Sequence, residues 1–188
     1  MSDLLIRYLP SPHADARPVG TAVDLLVVHA ISLPPGEFGG GYVDDLFLGR
    51  LDSGLHPYFA GLAGLRVSAH FLIGRGGEVT QYVPVLRRAW HAGQSVWEGR
   101  PACNDYSVGV ELEGVDGGSF ESAQYERLAM LARTLMAVLP GLTPARMVGH
   151  RDIAPGRKWD PGSGFDWLGF RALLERTRPI GKEMLVWD

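Results

Sequence analysis

A single cysteine, Cys103, rules out both an intrachain disulfide and a zinc site built from thiolates alone. No apolar run approaches the ~20 residues needed to span a bilayer. The opening residues, Met-Ser-Asp-Leu-Leu-Ile-Arg-Tyr, have an early acid, a very short apolar run and no cleavage-site pattern, so they do not read as a signal peptide. These absences set the expectation of a cytoplasmic protein that does not engage a membrane. Strong charge is missing too. The formal net charge is −3 with no basic stripe, which excludes a non-specific nucleic-acid binder. Internal repeats, low-complexity tracts and linkers are also absent. The 188 residues are therefore expected to form one domain, 1–188, with residues 1–23 as an irregular lead-in and 177–188 as a C-terminal tail.

What is present is a globular composition, 46% apolar, together with 25 glycines and 13 prolines that point to a loop-rich chain. Asp24–Val28 is a nearly continuous apolar run, as expected of a strand covered on both faces. Residues 33–41 form a Gly- and Pro-rich loop, with a short helix expected over 42–49. Ser68–Ile73 and Glu78–Val83 read as strands joined by the hairpin signal Gly74-Arg-Gly-Gly77. Along Ser107–Glu113, alternation places Val108, Val110 and Leu112 on one face and Gly109, Glu111 and Glu113 on the other. Residues 121–138 carry a helical stripe of Tyr125, Leu128, Leu131, Ala132, Leu135 and Met136. Met147–Gly149 is a short strand ending at His150. Phe165–Arg176 is a closing helix that offers Phe165, Leu168, Phe170, Leu173 and Leu174 to the core. Strands mixed with helices imply an α/β sandwich around one sheet.

Of the histidines at 13, 29, 56, 70, 91 and 150, two occupy equivalent places: His29 ends one apolar strand and His150 ends another. Ligands in α/β sheets gather outside strand ends. Asp160, in a Pro- and Gly-rich loop ten residues after His150, completes a set of two imidazoles and a carboxylate, which would leave one zinc position open. Position alone leaves a metal site and simple loop-anchoring histidines as equal alternatives. His150-Arg-Asp152 matches the start of a kinase catalytic loop, but the required Asn and any Asp-Phe-Gly are missing. It is equally poor as an iron facial triad, since no histidine follows position 150. The His-Glu-x-x-His signature is absent.

Several separated motifs occur in a fixed order: Val27-Val-His29, Ser68-Ala-His70-Phe-Leu-Ile, Arg88-Ala-Trp-His91-Ala-Gly, Val108-Gly-Val-Glu111-Leu-Glu113-Gly, Val148-Gly-His150, and Pro155-Gly-Arg-Lys158-Trp-Asp160-Pro-Gly. Over about residues 10–175 the chain resembles the type-2 amidases, relatives of the peptidoglycan recognition proteins. Ile31–Gly39 and His56-Pro-Tyr-Phe59 resemble the cytoplasmic, cell-wall-recycling branch of that family. The resemblance implies a central mixed β-sheet flanked by helices and a Zn²⁺ held by His29, His150 and Asp160. It assigns catalysis to Glu111 and Lys158, and hydrolysis of the amide between anhydro-N-acetylmuramic acid and L-alanine in small muropeptides. The substrate side is expected to include Tyr58, Arg66, His70, Trp90, His91 and Ala154. An amidase of intact peptidoglycan and a non-catalytic muropeptide-binding module are the competing readings. Spacing alone leaves Glu113 as an alternative to Glu111, and Arg157 as an alternative to Lys158. Ala30 and Ala102 depart from the branch pattern, where Asn and Arg are expected, and Trp159 is bulky enough to close one side of a groove.

Overall fold

The structure, a computed structural model, describes residues 5–188; expectations for residues 1–4 lie outside that part. The lead-in holds two strands, β1 (Ile6–Tyr8) and β2 (Ala14–Ala16), and the apolar run becomes β3 (Leu25–Ile31). Two short helices follow, α1 (Tyr42–Phe47) and α2 (Pro57–Ala60), then strands β4 (Phe71–Ile73), β5 (Val79–Gln81), β6 (Arg87–Ala89), β7 (Val96–Trp97) and β8 (Arg100–Pro101). The second half holds β9 (Ser107–Glu113), α3 (Ser122–Val138), β10 (Met147–Gly149), α4 (His150–Ile153) and α5 (Trp167–Arg176).

Six strands form one mixed sheet in the order β1-β5-β4-β9-β3-β10. β3 lies inside it, parallel to β9 over seven residues and to β10 over three, with Leu25–Val28 fully buried. A strand covered on both faces needs apolar side chains throughout, which explains its unbroken run. β4 and β5 form the expected hairpin, antiparallel across the turn at Gly74–Gly77, where Gly77 takes φ 87°. Both strands are shorter than the sequence suggests; ahead of β4 the backbone changes partner, and Ser68 N–H donates to Trp90 O at 3.2 Å.

One sheet face packs under α3 and α5. Leu128, Leu131, Ala132 and Leu135 of α3 meet Val108, Val110 and Leu112 of β9, with Phe170 and Leu174 of α5 beside them. Glu121 and Gln124 form a capping box at the start of α3. The buried Gln124 amide also donates to Ile73 O at 3.2 Å and Glu113 O at 3.0 Å, tying the helix to two strand ends. Leu168 does not join this core and is 81% exposed. Asp166 caps α5 by accepting from Gly169 N–H at 2.8 Å. From that start, at about 100° per residue, Leu168 falls opposite Phe170.

The other face carries α1, α2, two small antiparallel pairs (β2–β6 and β7–β8) and long loops. The expectation of an irregular lead-in is corrected for residues 5–23. β1 pairs with β5 and β2 with β6, and half-buried Arg17 donates to the carbonyls of Asn104, Asp105, Val85 and Ser107 at 2.9–3.0 Å. The tail at 177–188 is likewise fastened: Val85 N–H donates to Val186 O at 3.1 Å, Leu86 N–H donates to Trp187 O at 2.8 Å, and Leu185 is buried. Among the described residues no helix is long and apolar enough to cross a membrane.

Candidate metal centre and cleft

Because β9, β3 and β10 are adjacent and parallel, their C-terminal ends share one edge of the sheet. Register does the rest. His29 stands opposite Glu111 and Val28 opposite Gly149, so His150, the next residue, arrives beside His29. β3 runs on to Ile31, three residues past the apolar run that ends at Val28, so His29 lies inside the ladder with β9 and not at its end. After His150 the chain turns through α4. There Asp152 accepts from Gly149 N–H at 2.7 Å, so this nearer aspartate caps the turn. The carbonyl of Ala154 then accepts from both Arg157 N–H (3.1 Å) and Lys158 N–H (3.0 Å), and Asp160 O accepts from Arg151 N–H at 3.0 Å. These bonds fold the 154–160 loop back and bring the Asp160 carboxylate beside His150.

Three donor atoms converge. His29 Nδ1 and His150 Nδ1 are 3.0 Å apart, His150 Nδ1 and Asp160 Oδ2 3.1 Å, and His29 Nδ1 and Asp160 Oδ2 3.3 Å. Donors about 2.0–2.1 Å from a tetrahedral zinc stand about 3.3 Å from one another. The triangle therefore has the size of three ligands around one ion, and the set of two imidazoles and one carboxylate suits zinc. Burial pushes His29 down to about 4 against the pull of Asp160, so the ring is neutral and able to ligate. Burial also opposes charge on Asp160, but the neighbouring His150 and His29 outweigh it and hold the carboxyl below its ordinary range.

The triad lies in a cleft of about 360 Å³, which Glu111 and Lys158 also line. Glu111 is buried, and its Oε2 has no hydrogen-bond partner among the described residues. Burial first, and then the Asp160 charge, push this carboxyl well above its ordinary range, with Lys158 pulling the other way. Glu113 is already engaged: its carboxylate accepts from Gly39 N–H at 2.5 Å and Arg75 N–H at 3.3 Å. Arg157 donates to Ala92 O and Gln94 O at 2.6 Å each, whereas Lys158 faces the cleft.

Residues 19–163 match the family model described as N-acetylmuramoyl-L-alanine amidase. The chain belongs to this family. It is 55% identical over 170 residues to the 1,6-anhydro-N-acetylmuramyl-L-alanine amidase AmpD of Escherichia coli (strain K12), covering 90% of this chain and 92% of that one. A crystal structure of a selenomethionine AmpD derivative superposes with a TM-score of 0.88 at 56% identity, over 90% of this chain and 94% of that chain. AmpDh3 of Pseudomonas aeruginosa, in complex with anhydromuramic pentapeptide, superposes with a TM-score of 0.61 at 29% identity, over 83% of this chain and 61% of that chain. The mixed sheet flanked by helices is the fold these amidases share.

The expected substrate-side residues divide. Tyr58, on α2, and Trp90 line the cleft, as does His91. Arg66 is exposed between Leu65 and Val67 of the cleft wall. The structure does not bring His70 to the cleft. That ring is fully buried, accepts from Gly109 N–H at Nδ1 and donates from Nε2 to Arg87 O, each at 3.0 Å. Ala154 is also off the cleft; its carbonyl shapes the loop that carries Lys158. Ala30 lines the cleft and Ala102 does not. Trp159 is 62% exposed and is not part of the cleft wall, so it closes no side of it. Val115 and Asp116, outside the ordered motifs, also line the cleft beside Gly114. Their signal was the Gly-rich turn directly after the strand that carries Glu111.

Proposed function

We propose that the chain, working as one amidase domain in the cytoplasm, hydrolyses the bond between 1,6-anhydro-N-acetylmuramic acid and L-alanine in muropeptides, using zinc bound by His29, His150 and Asp160. The observation that carries this reading is the ligand-sized triangle of His29, His150 and Asp160, set beside a buried carboxylate with an unpartnered oxygen. The choice of the anhydro sugar is supported by the name borne by relatives at 55–56% identity.

Zinc held by His29, His150 and Asp160 would supply Lewis acidity and would make water far more acidic than it is in bulk. The chain's own groups do the remaining work. Glu111, its proton affinity raised by burial, takes the proton of the attacking water and hands it to the alanine nitrogen as the amide breaks. The Lys158 ammonium faces the negative charge that develops on the lactyl carbonyl oxygen; losing a comparable donor costs other enzymes about 3 kcal/mol or more. Tyr58 and Trp90 offer aromatic surface to the sugar and peptide. No covalent nucleophile is needed. Ser32 is spent on Gly36 N–H at 2.9 Å, and Cys103 is buried.

The test is a comparison of substrates. Purified protein is incubated with anhydromuramyl-tripeptide and, separately, with intact sacculi, and released peptide is followed by mass spectrometry. Rapid release from the anhydromuropeptide with little from sacculi is expected. The opposite preference would move the assignment to an amidase of intact wall, and release from neither would leave a binding module.

A further inference from the structure

His91 is expected at the substrate groove, yet both of its ring nitrogens are spent inside the protein. Nδ1 is 2.9 Å from His29 Nε2, and Nε2 is 3.1 Å from Ser107 Oγ. The directions of these bonds follow from their far end. Ser107 Oγ lies 2.5 Å from the carbonyl oxygen of Cys103. A carbonyl can only accept, and two oxygens that close need a proton between them, so the single hydroxyl hydrogen of Ser107 is committed there. Ser107 Oγ must then accept from His91, which places the His91 hydrogen on Nε2. A neutral imidazole has one N–H. His91 Nδ1 is therefore bare and accepts from His29 Nε2–H, which leaves His29 Nδ1 bare as well. That atom is the one in the donor triangle.

The geometry points to a relay, Cys103 O to Ser107 to His91 to His29, in which His91 is a positioning residue that fixes the tautomer and ring orientation of a metal ligand. The relay rests on the reading of His29 as a ligand made above. Three further features show that the seat of His91 is built for it. Asn104 Oδ1 accepts from both His91 N–H (3.1 Å) and Ala92 N–H (2.8 Å), clamping the backbone. Gly109 of β9 has no side chain where the ring lies: a Cβ there would stand 2.6 Å from His91 Nδ1. The neighbouring carbonyl, Ala92 O, lies 3.3 Å from His150 Nε2, so the same short segment orients the second imidazole, again leaving its Nδ1 for the triangle. Outer partners of this kind typically change metal affinity by about 10- to 100-fold.

Two measurements on the full chain test the relay. The first is the long-range ¹H–¹⁵N imidazole spectrum of the zinc-free wild type, where His29 and His91 are both expected as Nε2–H tautomers. The second is zinc affinity by competition with a chromophoric chelator, with folding checked by thermal melting. His91→Leu is expected to bind zinc about 10- to 100-fold more weakly. His91→Asn, whose amide oxygen stands near the place of Nδ1 and still accepts from His29, should recover most of that loss. An Nδ1–H signal at His91 in the wild type, or a folded His91→Leu that holds zinc as tightly as wild type, overturns the relay. A wild type that binds no zinc overturns the metal reading itself, while the tautomer spectrum still decides the relay on its own.

Discussion

Glu111 and Glu113 occupy the same strand face, and spacing could not separate them. Their partners do. Glu113 holds two loop N–H groups, whereas Glu111 lines the cleft beside the triad and has a buried oxygen without a partner among the described residues. Leaving a buried carboxylate oxygen without a partner costs stability unless another species completes it. Glu111→Gln keeps the shape and removes the proton-accepting charge. It should retain zinc at the wild-type ratio and lose about 10²- to 10⁴-fold in kcat on anhydromuramyl-tripeptide, the usual worth of a positioned acid–base group. Metal content by plasma mass spectrometry and steady-state rates check this together; a rate within a few-fold of wild type would remove Glu111 from the proton path. Similar logic separates Lys158 from Arg157, whose guanidinium is occupied by two backbone carbonyls.

At the scale of elements, strong patterns were readable and short edge pieces were not. β9 follows its alternation end to end, and α3 its stripe, because both bury many side chains against a large core. β1 and β2 are three residues each and pair with strands about seventy positions away, so nothing local marks them. Nor could periodicity show that β3 lies between β9 and β10, although that adjacency assembles the site; only the ordered motifs hinted at it. α3 packs on the sheet face opposite the cleft, which separates its stability role from the chemistry. Leu131→Ala should therefore cost about 2–5 kcal/mol of unfolding free energy. Urea denaturation would measure that loss, and the folded variant should keep wild-type zinc content and kcat. A large drop in kcat without loss of structure would show that the two faces are not independent.

The whole molecule carries several buried, neutral histidines, and this ties its stability to pH. Burial, aided by the Arg17 charge, pushes His70 down to about 3, and burial also drives His91 well below its ordinary value. An unfolded histidine titrates near 6.5. Between about 6.5 and 3 the unfolded chain thus binds protons that the folded chain does not, so stability is full above about 6.5 and is lost as pH falls toward 3. For the zinc-free protein the urea midpoint should be level from pH 7 to 8 and fall steadily below about 6.5, and His70→Gln should fall less steeply; a midpoint level down to pH 5 would contradict this. Sequence placed His70 at the groove because a motif surrounds it. Burial and hydrogen bonding to Gly109 and Arg87 give it a structural place instead, and only coordinates could show that.

A metal held by two strand-end histidines and a loop aspartate can be sought directly with one pair of samples. Zinc content and hydrolysis of anhydromuramyl-tripeptide are measured for the wild type and for Asp160→Ala. Near-stoichiometric zinc and turnover in the wild type, with both lost in the variant and its melting curve still cooperative, is the predicted result. A folded Asp160→Ala that keeps its zinc and its activity would contradict the site described here.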